Sequence, residues 1–154
     1  MTDIAEQRAS TSIHASAVLI GARAVLIRGP SGSGKSRFAL ALLQAGERGD
    51  LPFARLVSDD RTRLEARNGR LLARPAPHLA GLIEVRGVGV KRVPYEPVAV
   101  VFLVVDLAAD TERMPMARAR TTTIAGVALP RLAVAAGIEP LPLLLAETRW
   151  PDAR

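Results

Sequence analysis

One run of residues narrows the folding options of this chain more than any other. Gly29-Pro30-Ser31-Gly32-Ser33-Gly34-Lys35-Ser36 fits G-x-x-x-x-G-K-[ST], the pattern of a phosphate-binding P-loop. Gly32 and Gly34 can take backbone angles closed to residues with a Cβ, so successive N–H groups can turn inward around a phosphate. Lys35 supplies a cation for the β- and γ-phosphates, and the Ser36 hydroxyl is placed to bind Mg²⁺. A loop of this kind must open onto a helix, whose N-terminus adds free N–H groups and partial positive charge.

The flanking sequence provides that setting. Ala24–Arg28 is a short apolar, β-prone run. Ser36–Gln44 has good helix formers at most positions, with Phe38, Ala41, Leu42 and Ala45 on one face and Gly46 as the expected stop. A flexible Gly/Ser-rich turn is the bland alternative, and strand, glycine loop and helix in sequence argue against it.

Ahead of the loop, His14–Ile20 reads as a strand and Gly21–Arg23 as a turn, so an antiparallel hairpin is expected to enter the P-loop. Residues 1–12 read as a polar leader. Beyond the helix, Glu47–Pro52 is loop-like and Ala54–Ser58 is a strand ending at Asp59-Asp60. Thr62–Arg74 reads as a hairpin turning at Asn68-Gly69. Pro75–Pro77 breaks the chain, and His78–Ile83 is expected to make a helical turn. Val98–Val105 is apolar on both faces, as a central strand should be, and ends at Asp106. Residues 107–120 read as a surface connection. Thr121–Ile124 and Ala128–Val134 are strand candidates around a turn at Ala125–Val127, and Pro142–Arg149 is a short helix candidate.

Composition sets the outer limits. A chain of 154 residues, 49% hydrophobic, can bury one good core. With no cysteine, disulfides, thiolate metal sites and cysteine nucleophiles are excluded. The start of the sequence is too polar for a signal peptide, and the longest apolar run is too short to cross a bilayer, so a cytoplasmic protein without a membrane partner is expected. A net charge of +6 suits phosphorylated or acidic partners, but with aromatics at 3% there are few platforms for stacking bases, and no nucleic-acid partner is expected.

A phosphoryl-transfer site needs a metal and a group that positions or deprotonates the acceptor. Asp59-Asp60 closes an apolar strand, where α/β proteins place their sites; elsewhere such a pair is more often a turn or surface feature. In an extended strand adjacent side chains point opposite ways, so one of the two should face the site. Glu84 and Arg86 fall in Glu-x-Arg-Gly-x-Gly, where the Glu can hold Mg²⁺ and the Arg can neutralise phosphate, although a surface Glu–Arg pair would look the same. His14 taken alone reads as a structural or surface residue.

Together, His14-Ala15-Ser16, the P-loop, Leu56-Val57-Ser58-Asp59-Asp60 and Glu84-Val85-Arg86-Gly87-Val88-Gly89 resemble the catalytic domain of the HPr kinase/phosphorylase family. The resemblance runs from about residue 13 to 106. It implies an α/β domain over residues 13–154 with a mixed sheet, of the P-loop type found in phosphoenolpyruvate carboxykinase. It also implies ATP-dependent phosphorylation of a serine on HPr, a phosphocarrier of the sugar phosphotransferase system, with reverse phosphorolysis in many members. Carried over by position, Gly29 to Ser36 and Arg86 bind nucleotide phosphates, and Ser36 and Glu84 are the metal ligands. Asp59 is the general base, Asp60 and His14 lie beside it, and Lys35 serves the transferred phosphate. The family is typically hexameric, which makes a homo-oligomer the expectation.

Two departures stand out. Only about a dozen residues precede His14, where family members carry an N-terminal domain, so a short form is expected. A basic Pro-Gly-Arg-Asn-like loop of the family is replaced by Thr123–Arg131, with Arg131 as its candidate substitute. A regulatory nucleotide-binding module, or a P-loop kinase for a different acceptor, is the alternative function.

Overall fold

The computed structural model describes residues 10–111 and 117–153. Its strands are β1 (Ser10–Ile13), β2 (Ala15–Ile20), β3 (Arg23–Arg28), β4 (Ala54–Ser58), β5 (Thr62–Arg67), β6 (Arg70–Pro75), β7 (Leu82–Val85), β8 (Gly89–Arg92), β9 (Ala99–Leu107), β10 (Thr121–Ile124) and β11 (Val127–Val134). The helices are α1 (Lys35–Arg48) and α2 (Pro140–Arg149).

Two-sided apolar runs in β3 and β9 make them the centre of the sheet, and they pair in parallel. The strands run in the order β1-β5-β6-β9-β3-β2-β4, and β11 pairs with the second half of β9 while β6 pairs with its first residues. Both parallel and antiparallel pairs occur, so the α/β mixed sheet is as expected. The antiparallel β2–β3 hairpin does lead into the glycine loop.

Side chains alternate between two cores. Val25 and Ile27 of β3 face a core shared with Phe38, Leu42 and Ala45 of α1 and Leu144 of α2. Ala24 and Leu26 face the other, with Leu64, Leu71 and Ala73 of the β5–β6 hairpin. The register of β9 slips between Val101 and Leu103, opposite Ala24 and Val25. That slip changes the parity of β9, so Val101 lies in the second core and Leu103 in the first.

Several boundaries differ from the sequence reading. Ser10 to Ser12, placed in the polar leader, pair with β5 as an edge strand; residues 1–9 lie outside the described residues. The helix does not stop at Gly46 but continues to Arg48, and Gly49, with φ 84°, caps it. Gly46 packs against Ala54 instead: a Cβ there would lie 2.7 Å from the Ala54 Cβ. On the buried face of α1, Ala39 takes the place expected of Ala41. The helical turn placed at His78–Ile83 is a 3-10 turn at Pro77–Leu79, and Leu82 and Ile83 already belong to β7. Asp106 is inside β9, not beyond it. Arg23 belongs to β3, and Val127 to β11. The last helix begins at Pro140, because proline is well placed in a first helical turn. Of the connection read at 107–120, residues 112–116 lie outside the described residues. Among the described residues, no helix is long and apolar enough to cross a membrane.

Candidate active site

The glycine loop sits at the carboxyl end of β3, where parallel strands leave room for a ligand. Gly32 and Gly34 have φ 80° and 99°, the left-handed region a phosphate-cradling turn requires. The Ser33 N–H closes the turn on the Pro30 carbonyl at 3.0 Å. Gly34 starts α1 with no side-chain cap and no acid in the first turn, so the first N–H groups are open to an anion. The Lys35 ammonium folds back onto the carbonyls of Gly29 and Pro30, at 2.8 and 3.3 Å, and is only 8% exposed. Ser33 Oγ is buried without a hydrogen-bond partner. An orphaned donor, uncapped N–H groups and an adjacent cation fit a phosphate group.

Across the loop lies Asp59, buried at the end of β4. Its Oδ1 accepts hydrogen bonds from Ser36 Oγ at 2.7 Å and Ser16 Oγ at 2.8 Å, and its Oδ2 accepts from the Glu84 backbone N–H at 3.0 Å. These donors satisfy a carboxylate that burial would otherwise penalise. The chain then turns sharply. Asp60 has φ 64°, Arg61 N–H donates to the Asp59 carbonyl at 2.7 Å, and Asp60 N–H donates to Ser16 Oγ at 3.1 Å. Thr62 Oγ1 anchors the far side of the turn by donating to the Ala15 carbonyl at 2.7 Å.

Ser36 and Asp59 are thus brought together, with Glu84 joining through its backbone, while the Lys35 ammonium rests on the loop carbonyls. The Glu84 side chain is exposed at the root of the β7–β8 ribbon, and Arg86 is exposed in the turn of that ribbon beside Gly87, φ 84°. The Asp60 side chain points to solvent. His14 is exposed as well and receives a hydrogen bond from Arg61, since a guanidinium can only donate; the two nitrogens are 3.2 Å apart. Among the described residues, no group of three or more His, Asp or Glu side chains is gathered for a metal.

Two features were not read from the sequence as parts of the site. Ser16 stands out in the sequence only as part of a matching segment; a serine inside the otherwise apolar strand Ala15–Ile20 is the signal that points to it. The other is the cluster that Arg28 and Asp106 make with Arg131, of which the sequence singles out Arg131 alone. Arg28 donates to Asp106 through Nε at 2.7 Å and Nη2 at 2.8 Å, and Arg131 Nε donates to Oδ2 at 2.5 Å. Burial pushes the Asp106 carboxyl up, but hydrogen bonds and charge from the two arginines outweigh it and hold it below the usual carboxylate value. Arg131, the candidate substitute for a basic phosphate loop, is therefore committed to Asp106 and to the Ala119 carbonyl.

A family model described as the HPr Serine kinase C-terminal domain matches residues 5–95. An HPr kinase/phosphorylase of Streptococcus thermophilus is 44% identical over 81 residues, covering 52% of this chain and 24% of the relative. One of Limosilactobacillus reuteri is 35% identical over 135 residues, covering 80% of this chain and 40% of the relative. The matched part is thus well under half the length of these curated relatives. The solved structure of the Hpr(Ser) kinase/phosphatase from Coxiella burnetii superposes with a TM-score of 0.69 at 28% identity, covering 89% of this chain and 92% of that one.

Proposed function

This chain belongs to the family of the HPr Serine kinase C-terminal domain, and on that premise we propose that it is an ATP-dependent serine kinase acting on HPr or an HPr-like phosphocarrier. The observation that carries this reading is the 2.7 Å hydrogen bond between Ser36 of the glycine loop and buried Asp59. It sets an acid–base group against the end of the phosphate cradle, where an acceptor hydroxyl would meet the γ-phosphate. We assign residues 13–154 to one catalytic domain of the phosphoenolpyruvate-carboxykinase-like P-loop type, supported by the β2–β3 hairpin that enters the loop.

In this reading the α1 N–H groups and the Ser33 hydroxyl hold nucleotide phosphates, and Lys35 exchanges the carbonyls of Gly29 and Pro30 for phosphate oxygens. Mg²⁺, when bound, neutralises phosphate charge, and Ser36 and Glu84 are the residues that would hold it. Asp59 accepts the proton of the acceptor serine as its oxygen bonds to the γ-phosphorus and the bond to the bridging oxygen of ADP breaks. In the reverse direction an oxygen of inorganic phosphate bonds to the phosphoserine phosphorus as the bond to the serine oxygen breaks, the proton of the attacking phosphate passes through Asp59 to that oxygen, and pyrophosphate is released. Arg86 is assigned to the nucleotide phosphates, and the exposed Asp60 and His14 flank Asp59 on the side open to the protein acceptor. Arg131 is left out of the phosphate-binding set because Asp106 occupies it. Action in the cytoplasm, as a homo-oligomer of the hexameric kind, belongs to the same proposal.

The test is incubation of the purified chain with γ-labelled ATP, Mg²⁺ and HPr, beside Lys35→Ala. Label on an HPr serine, absent with Lys35→Ala, supports the reading. Nucleotide binding with no transfer supports the regulatory module instead, and transfer only to another protein supports a different acceptor.

A further inference from the structure

We propose that Ser16 is a positioning residue that fixes the Asp59 carboxylate for phosphoryl transfer; the proposal rests on the reading of Asp59 as the base. Ser16 is fully buried in β2, yet its hydroxyl is used twice: it donates to Asp59 Oδ1 at 2.8 Å and accepts from the Asp60 N–H at 3.1 Å. One side chain therefore ties down both the carboxylate and the turn that carries it. The turn needs such a tie, because Asp60 holds φ 64°, a region L-residues adopt at a cost.

The donors around Asp59 are not equivalent. Oδ2 is held by the backbone N–H of Glu84, and Oδ1 by Ser16 from the sheet side and Ser36 from the loop side. Ser36 is the donor on the nucleotide loop and is partly exposed; Ser16 is immobilised within the sheet. An acceptor hydroxyl can reach Oδ1 by taking the position of Ser36, on the side of the glycine loop. Ser16 keeps the carboxylate in place during that exchange and leaves the loop-facing lone pair as the one that takes the proton.

Substitutions at this position separate the hydroxyl from the packing. Ser16→Val and Ser16→Thr add nearly equal volume to a closed site and differ by the hydroxyl, while Ser16→Ala removes it without crowding. In the full chain, kcat for transfer to HPr should fall roughly tenfold in Ser16→Ala and in Ser16→Val relative to Ser16→Thr, the effect of one hydrogen bond to a charged group. Nucleotide affinity should change by less than about twofold, since Ser16 touches no phosphate-binding group. Amide exchange at Asp60 should quicken in the two variants without the hydroxyl and not in Ser16→Thr. Equal kcat in Ser16→Val and Ser16→Thr would overturn the proposal. Asp59→Asn run alongside distinguishes the premise: native transfer in that variant overturns the reading of Asp59 itself, and the role of Ser16 with it.

Discussion

Arg28 and Asp106 meet across the two central parallel strands in a two-point ion pair, with Nε to Oδ1 at 2.7 Å and Nη2 to Oδ2 at 2.8 Å. They are register partners, each near the carboxyl end of its strand, and Arg28 immediately precedes the first glycine of the glycine loop. Arg131 on β11 completes the arrangement. Three neighbouring strands are thus fastened at the edge where the loop departs. Asp106→Ala leaves two guanidinium groups facing each other. Unfolding in urea should show a loss of about 2–3 kcal/mol, below the 3–5 of fully buried pairs because the arginines are 30% and 21% exposed. An unchanged midpoint would show that the pair contributes little.

The same carboxylate sets a pH dependence. Its folded-state pKa is lowered, so the stability it contributes is fully present above the unfolded value of about 3.9 and is lost as pH falls through the lower folded value. Stability measured from pH 5 downward should therefore decline less steeply in Asp106→Asn than in the native chain. Parallel curves in this window would contradict the assignment.

Gly29→Ala tests the packing of the loop. A Cβ at this position would fall inside hard contact with Ser33 Oγ and lie 3.1 Å from the Leu107 Cβ. The displaced Ser33 hydroxyl and loop backbone should lower nucleotide affinity roughly five- to 150-fold, the span of one to three kcal/mol of overpacking. Equilibrium nucleotide binding checks it, with circular dichroism confirming the fold.

Gly46→Ala tests why α1 runs past its expected end. Helix propensity alone favours alanine there by about 1 kcal/mol. The contact with Ala54, 2.7 Å from Cβ to Cβ and 3.0 Å to its backbone N, should reverse the sign and leave the variant about 1 kcal/mol less stable. A rise in melting temperature would show that β4 yields easily.

These cases also mark where the sequence was legible. Strand, loop and helix around Lys35 could be read because each depends on local chemistry: two-sided apolar β3, glycines where φ must be positive, helix formers after them. Asn68-Gly69 likewise announced its hairpin, with φ 53° and 76° at the turn. Gly46 misled because its role is set by Ala54 on another element, and a glycine packed by a distant contact looks in sequence like a helix stop. Ser10 to Ser12 read as leader because a polar edge strand has little burial pattern of its own. In the candidate site, Ser36 and Asp59 were named from motif and strand end, and the fold places them in contact. The role of Ser16 is not legible in sequence because its two bonds, to Asp59 and Asp60, span more than forty positions. Arg28, Asp106 and Arg131 lie on three strands, and nothing local says that β3, β9 and β11 adjoin in that register.

The most direct measurement is a comparison of native chain and Asp59→Asn for both nucleotide binding and transfer of the γ-phosphate to HPr. An amide can occupy the space between Ser16, Ser36 and the Glu84 N–H but cannot take the acceptor's proton. The expected result is nucleotide affinity within several-fold of native and transfer reduced at least roughly a hundredfold, the range for loss of a general base. Transfer within a few-fold of native in Asp59→Asn would contradict the account.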